Sequence, residues 1–202
     1  MKYLAIDTSG DYLVIVMKND DKILRRNEKI PGVKHSVTLM PAIEEMSDET
    51  GLNLKDVDFF ACATGPGSFT GIRIGVSTVK GFADAYSKPV LPVTTLETLA
   101  YTEIGKRLAV IDAKHDHYYA QGYTGDEVTF QPEYISKEKL IDLQKEYKTV
   151  SATPLEGIDV KIVDVSEGLI CAIEKNLARV SYDVDSLHPF YLRLSQAEEG
   201  RK

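Results

Sequence analysis

The stretch that most constrains this chain is Cys62-Ala63-Thr64-Gly65-Pro66-Gly67-Ser68-Phe69-Thr70-Gly71-Ile72-Arg73-Ile74-Gly75-Val76. Residues 57–63 before it form an apolar run that reads as a buried strand. Through residues 71–85 after it, Ile72, Val76, Val79 and Ala83 recur at helical spacing. Strand, glycine turn and helix together can present backbone N–H groups to an anion. Three sharper motifs fail on particular residues. A Walker loop needs a lysine after its last glycine, and Gly71 is followed by Ile72. A dinucleotide fingerprint needs glycine where Thr70 stands. A nucleophile elbow centred on Ser68 needs glycine at Pro66 and Thr70.

Gly71 and Gly75 lie one helical turn apart, with Thr78 on the same side, so the helix carries a smooth strip. Each helical glycine costs about 1 kcal/mol against alanine, and close packing onto a neighbouring helix or subunit is the expected return. A preceding helix over residues 35–49 has a core seam at Leu39, Ile43 and Met46. Val37, Met40 and Pro41 widen its apolar surface beyond that seam, and Gly51 ends it. Pro41 predicts a late first turn or a kink. His35, at the start of this helix, reads as structural.

The rest of the chain falls into two halves. Residues 3–6, 12–17 and 22–29 read as three antiparallel strands, and the first ends in the polar turn Asp7-Thr8-Ser9-Gly10-Asp11. That opening resembles the actin, Hsp70 and sugar-kinase superfamily, in which such a turn lies near nucleotide phosphates. Two helices, strands over 57–63 and 90–93, and a helix over 95–104 complete a β-β-β-α-β-α-β-α unit, giving a first lobe at 1–104. A smaller second lobe at 105–202 repeats the plan. Its strands are expected at 108–111 (ending in Asp112-Ala113-Lys114), 118–123, 127–130, 149–152 and 160–163, and its helices at 136–147 and 166–179.

Composition excludes several roles. A net charge of -7, with neither half basic, argues against the chain gripping a nucleic-acid backbone on its own. Cys62 and Cys171 sit far apart in apolar settings and read as reduced, buried thiols. Charge within the first seven residues and short apolar runs predict a cytoplasmic protein with no signal peptide and no membrane contact. His115 and His117 could form a metal pair, but they have no third ligand at suitable spacing, and no H-E-x-x-H motif occurs.

The chain also resembles the TsaB (YeaZ) family across its length. The matching residues are Leu4-Ala5-Ile6-Asp7-Thr8-Ser9, His35-Ser36, the motif from Gly65 to Gly75, Val93-Thr94-Thr95-Leu96-Glu97, Val110-Ile111-Asp112-Ala113 and Tyr191-Leu192-Arg193. The resemblance implies an α/β, two-lobed, actin-like (ribonuclease H-like) fold with a mixed sheet flanked by helices in each lobe. It further implies a non-catalytic subunit that binds and activates TsaD for threonylcarbamoyl transfer to adenosine of tRNA. A TsaE-type ATPase would join the pair, a homodimer would form through the same helices when the chain is alone, and tRNA would be met only through the complex. Contact residues are then expected at Met40, Ile43, Gly71, Ile72, Gly75, Val76, Thr78 and Val79, and Gly75→Arg should break pairing while sparing the fold. Thr95-Leu96-Glu97-Thr98-Leu99 stands where the catalytic relative carries its metal-binding H-x-E-G-H, so neither a metal nor a catalytic residue is expected. Asp7, Thr8 and Ser9 become a vestigial phosphate loop. No cofactor is implied beyond weak ATP or ADP binding, mainly in complex with partners. The alternatives are a metal-dependent, glycoprotease-like peptidase and a vestigial ATP-binding protein of the actin superfamily.

Overall fold

The computed structural model describes residues 1–29 and 34–193. Strand β1 (Lys2–Asp7) pairs antiparallel with β2 (Leu13–Asn19), which pairs antiparallel with β3 (Lys22–Glu28). On its other edge β1 runs parallel to β4 (Phe59–Ala63), which runs parallel to β5 (Val90–Val93). The order is therefore β3-β2-β1-β4-β5, with β1 at the centre. Helix α1 (His35–Thr50) comes before β4, α2 (Phe69–Tyr86) joins β4 to β5, and α3 (Thr95–Ala100) follows β5.

The second sheet repeats this topology. It contains β6 (Lys106–Lys114), β7 (His117–Thr124), β8 (Glu127–Ser136), β9 (Lys148–Ser151) and β10 (Lys161–Ile162), in the order β10-β9-β6-β7-β8. Helix α4 (Lys137–Leu143) joins β8 to β9, and α5 (Val165–Lys175) follows β10. Between β9 and β10, where the first half inserts α2, there is only a small turn bridged by Leu155 and Ile158. That shortening is the reduction expected of the second half.

Strand alternation builds the layers. Tyr3 and Ala5 of β1, Val14 and Val16 of β2, and Phe59 and Ala61 of β4 face one side. There they meet α3, α5 and the inner face of the second sheet at Ala109, Tyr123 and Val150. Their neighbours Leu4, Ile6, Leu13, Ile15, Phe60 and Cys62 face the opposite side and pack under α1 and α2. A third cluster fills the outer face of the second sheet beneath α4. The sequence of layers is α1/α2, first sheet, α3/α5, second sheet, α4, so the central helical layer is shared by both sheets.

Several boundaries differ from expectation for identifiable reasons. Helix α1 continues through Pro41, whose ring is exposed, and ends at Gly51 with φ 69°. The helix expected to reach 104 stops at Ala100, where the buried Arg107 takes over its carbonyl end. Arg107 donates Nε to Ala100 O at 2.5 Å and Nη1 to Gly105 O and Gly125 O, and its guanidinium lies against the Tyr101 and Tyr123 rings. A buried guanidinium with carbonyl acceptors and aromatic faces is satisfied without an ion pair. The last helix ends at Lys175 because Asn176 turns its side chain back onto Ala172 O.

Candidate functional site

The glycine motif folds onto the end of β1. Ser68 N donates to Ser9 O at 2.7 Å, Thr8 Oγ1 donates to Gly71 O at 2.7 Å, and Thr95 Oγ1 donates to Ser9 Oγ at 2.9 Å. A Cβ on Gly71 would overlap the Thr8 carbonyl oxygen, and one on Gly67 would overlap that of Ser9. A Cβ on Gly75 would lie 2.7 Å from Thr8 Oγ1 and 3.3 Å from Cys62 Sγ. These glycines let a helix start touch a strand end, a close backbone approach that no side chain permits.

This geometry corrects the reading of the helical strip. Gly71 and Gly75 face the chain's own β1 turn, and Ile43, Ile72, Val76 and Val79 are buried in the core beneath α1 and α2. Thr78 is half-buried. Of the eight expected contact residues, Met40 alone is well exposed, at 50%. The free apolar surface lies beside it on α1 at Val37 (65% exposed) and Pro41, and α2 exposes Arg73 and Ser77. Gly75→Arg would therefore strike the fold before it reached any partner.

Above the β1 turn, a cleft of about 520 Å³ opens between the sheets, with the ends of β1 and β6 on facing sides. Asp7 is buried on its floor, where burial raises its carboxyl above the ordinary range while Ser9 hydrogen bonds pull it down. Ser9 N donates to Asp7 Oδ1 at 2.7 Å. The second sheet has the same device: Lys114 N donates to Asp112 Oδ1 at 2.7 Å, and Lys114 Nζ pairs with Asp112 Oδ2 at 2.7 Å. Asp11 pairs with Lys29 at 2.6 Å, and this bond holds its carboxyl low. The amides of Ser9, Ser68, Gly71, Ile72 and Lys114 all donate within the chain. The lining carries three carboxylates, Asp7, Asp11 and Asp112, beside the cationic Lys114 and Arg193.

The remaining expected residues have local partners. His35 Nε2 contacts Gly10 O at 2.9 Å. His117 stacks flat on Tyr134 at 4.8 Å, and among the described residues no three His, Cys, Asp or Glu side chains cluster as a metal site. Thr94 and Glu97 form a reciprocal capping box at the start of α3, and Glu97 Oε1 also accepts from Arg179 at 2.8 Å. Burial pushes the Cys62 thiol well up, away from reactivity. Sequence reading left Arg73 and Tyr191-Leu192-Arg193 without roles. In the structure they form a strap: Arg73 Nε donates to Tyr191 Oη at 2.9 Å, Tyr191 stacks on Phe69 at 4.5 Å, and the Arg193 guanidinium lies against the Tyr134 ring in the second sheet.

The family profile described as "TsaD: tRNA N6-adenosine threonylcarbamoyltransferase" matches residues 29–168, more than half of the chain. The Escherichia coli protein named "tRNA threonylcarbamoyladenosine biosynthesis protein TsaB" is 31% identical over 165 residues, which cover 74% of this chain and 71% of that protein. The chain belongs to the TsaB family. The TsaB of Bacillus subtilis is 35% identical over 62% of this chain, and the match spans about half of that protein, 54%. The solved structure of YeaZ from Pseudomonas aeruginosa superposes with a TM-score of 0.79 at 25% identity, covering 95% of this chain and 99% of that one. The architecture is thus the two-lobed, actin-like α/β fold of the TsaB family.

Among the described residues, no helix is long and apolar enough to cross a membrane.

Proposed function

We propose that this protein is the supporting, non-catalytic subunit of tRNA threonylcarbamoyladenosine biosynthesis, binding and activating a TsaD homologue. Membership of the TsaB family carries this reading, since its relatives bear that biosynthetic name. The exposed apolar edge of α1 at Val37, Met40 and Pro41, together with the exposed Arg73 and Ser77 of α2, is the face proposed for pairing. This keeps the helices expected from sequence and moves the contact to their outer side. A TsaE-type ATPase would bind the pair, and a homodimer would use the same face in the partner's absence. The acidic chain would meet tRNA only through the complex.

Activation by a bound subunit requires tighter binding to the competent state of the partner. A tenfold gain in competent population needs about 1.4 kcal/mol of such preference, which a few buried apolar side chains can supply. In a pull-down with the TsaD homologue of the same organism, Met40→Asp should weaken pairing by about tenfold or more while the monomer stays folded. Undiminished capture by that variant would place the pairing surface elsewhere.

A further inference from the structure

Arg73 is held on the surface of α2 without a counter-ion. Its Nε donates to Tyr191 Oη at 2.9 Å, and its guanidinium carbon lies 5.8 Å from the centre of the Tyr191 ring. Tyr191 is itself fixed. Its ring stacks on Phe69 at 4.5 Å, the preceding Phe190 N donates to Thr64 O at 2.8 Å, and Leu187 is buried in the core beneath α1 and α2. Arg25, Arg26 and Arg179, by contrast, each close onto a carboxylate, of Glu167, Glu45 and Glu97 respectively. Among the described residues, no hydrogen bond or ion pair engages Nη1 or Nη2 of Arg73.

Ordering a long side chain costs rotamer entropy, and the tyrosine meets that cost before any ligand arrives. With Nε engaged, the two terminal nitrogens still present the planar fork that matches the two oxygens of a carboxylate. A nucleic-acid phosphate could use the same fork, but the surroundings favour a protein carboxylate. Thr70 and Ser77, one turn to either side, are exposed and neutral, and Lys80 further along the helix is paired with Asp185 at 3.3 Å. A phosphate backbone is gripped by several basic groups together, which this helix face does not supply. We infer that Arg73 receives a carboxylate of the TsaD homologue when the two proteins pair, and that Tyr191 is the positioning residue that sets the fork. This rests on the pairing role proposed above and adds a charged contact to its apolar edge.

The test measures pairing of the full chain with the TsaD homologue of the same organism by calorimetry, at low and high salt. Arg73→Gln should weaken pairing by about tenfold at low salt and flatten its salt dependence, because a screened ion pair is gone. Arg73→Lys, which keeps the charge but not the fork, should recover only part of that loss. Tyr191→Phe should weaken pairing by about threefold in the wild-type background and leave it unchanged in the Arg73→Gln background, a coupling that a merely structural tyrosine would not show. Wild-type affinity and salt dependence in Arg73→Gln would overturn the inference, as would equal effects of Tyr191→Phe in both backgrounds. So would a loss confined to tRNA binding by the complex, with pairing intact. Pairing lost in Met40→Asp but kept in Arg73→Gln removes the charged contact and spares the pairing face, whereas a wild-type chain that fails to pair removes both.

Discussion

At Gly71 and Gly75 an added methyl group has nowhere to go, because one meets the Thr8 carbonyl and the other the Thr8 hydroxyl and Cys62 sulfur. Either alanine substitution should cost about 3 kcal/mol in chemical denaturation, the range for overpacking against backbone. Gly81, exposed in the same helix with nothing within 4 Å of its would-be Cβ, is the control. Gly81→Ala should gain up to about 1 kcal/mol through helix propensity. Asp7 gives a pH test with a definite sign. Burial raises its folded pKa above the unfolded value, so the folded state holds the proton more tightly. The stability this gives is full below the unfolded pKa and is lost as pH rises through the folded one. Asp7→Asn should therefore be more stable than the wild type at neutral pH, and the advantage should vanish as pH falls below the ordinary carboxylate range. Thermal melts across that window check it, and an advantage that grows toward acid would contradict it. Sequence periodicity showed that the glycines needed a close neighbour. It could not say which one, since Thr8 lies far away along the chain.

Elements were more legible than their contacts. The helical spacing of Leu39, Ile43 and Met46 and the closing Gly51 marked α1, and the short apolar runs at residues 3–6 and 12–17, separated by a polar turn, marked the central hairpin. Polar and aromatic segments without a period were not legible. The strap from Leu187 to Arg193 has no helical or strand pattern, and its partners Phe69, Arg73 and Tyr134 are distant in sequence. Arg107 would be placed on a surface by residue type, yet it is fully buried because two loops turn their carbonyls onto it. For the strap, Tyr191→Phe removes the hydroxyl that accepts from Arg73 but keeps the Phe69 stack, and should cost less than about 1 kcal/mol. Tyr191→Ala loses both and should cost about 2 kcal/mol or more, with faster proteolytic clipping near residue 190. Equal costs for the two would deny the stack its role.

Across the whole molecule, the repeated β-β-β-α-β plan made the mixed sheets readable, because each half carries its own short strand runs and turn signals. The shared central layer was not readable, since α5 packs against both its own sheet and strands of the first half. The cleft arises from that arrangement, with walls drawn from segments more than a hundred residues apart. The central claim concerns the molecule as a partner, so the direct measurement is tRNA threonylcarbamoyladenosine formation by the TsaD homologue of the same organism, with and without this protein. The account predicts a stable complex and modification that falls sharply when this chain is omitted. Full modification in its absence, with no complex on co-purification, would contradict it.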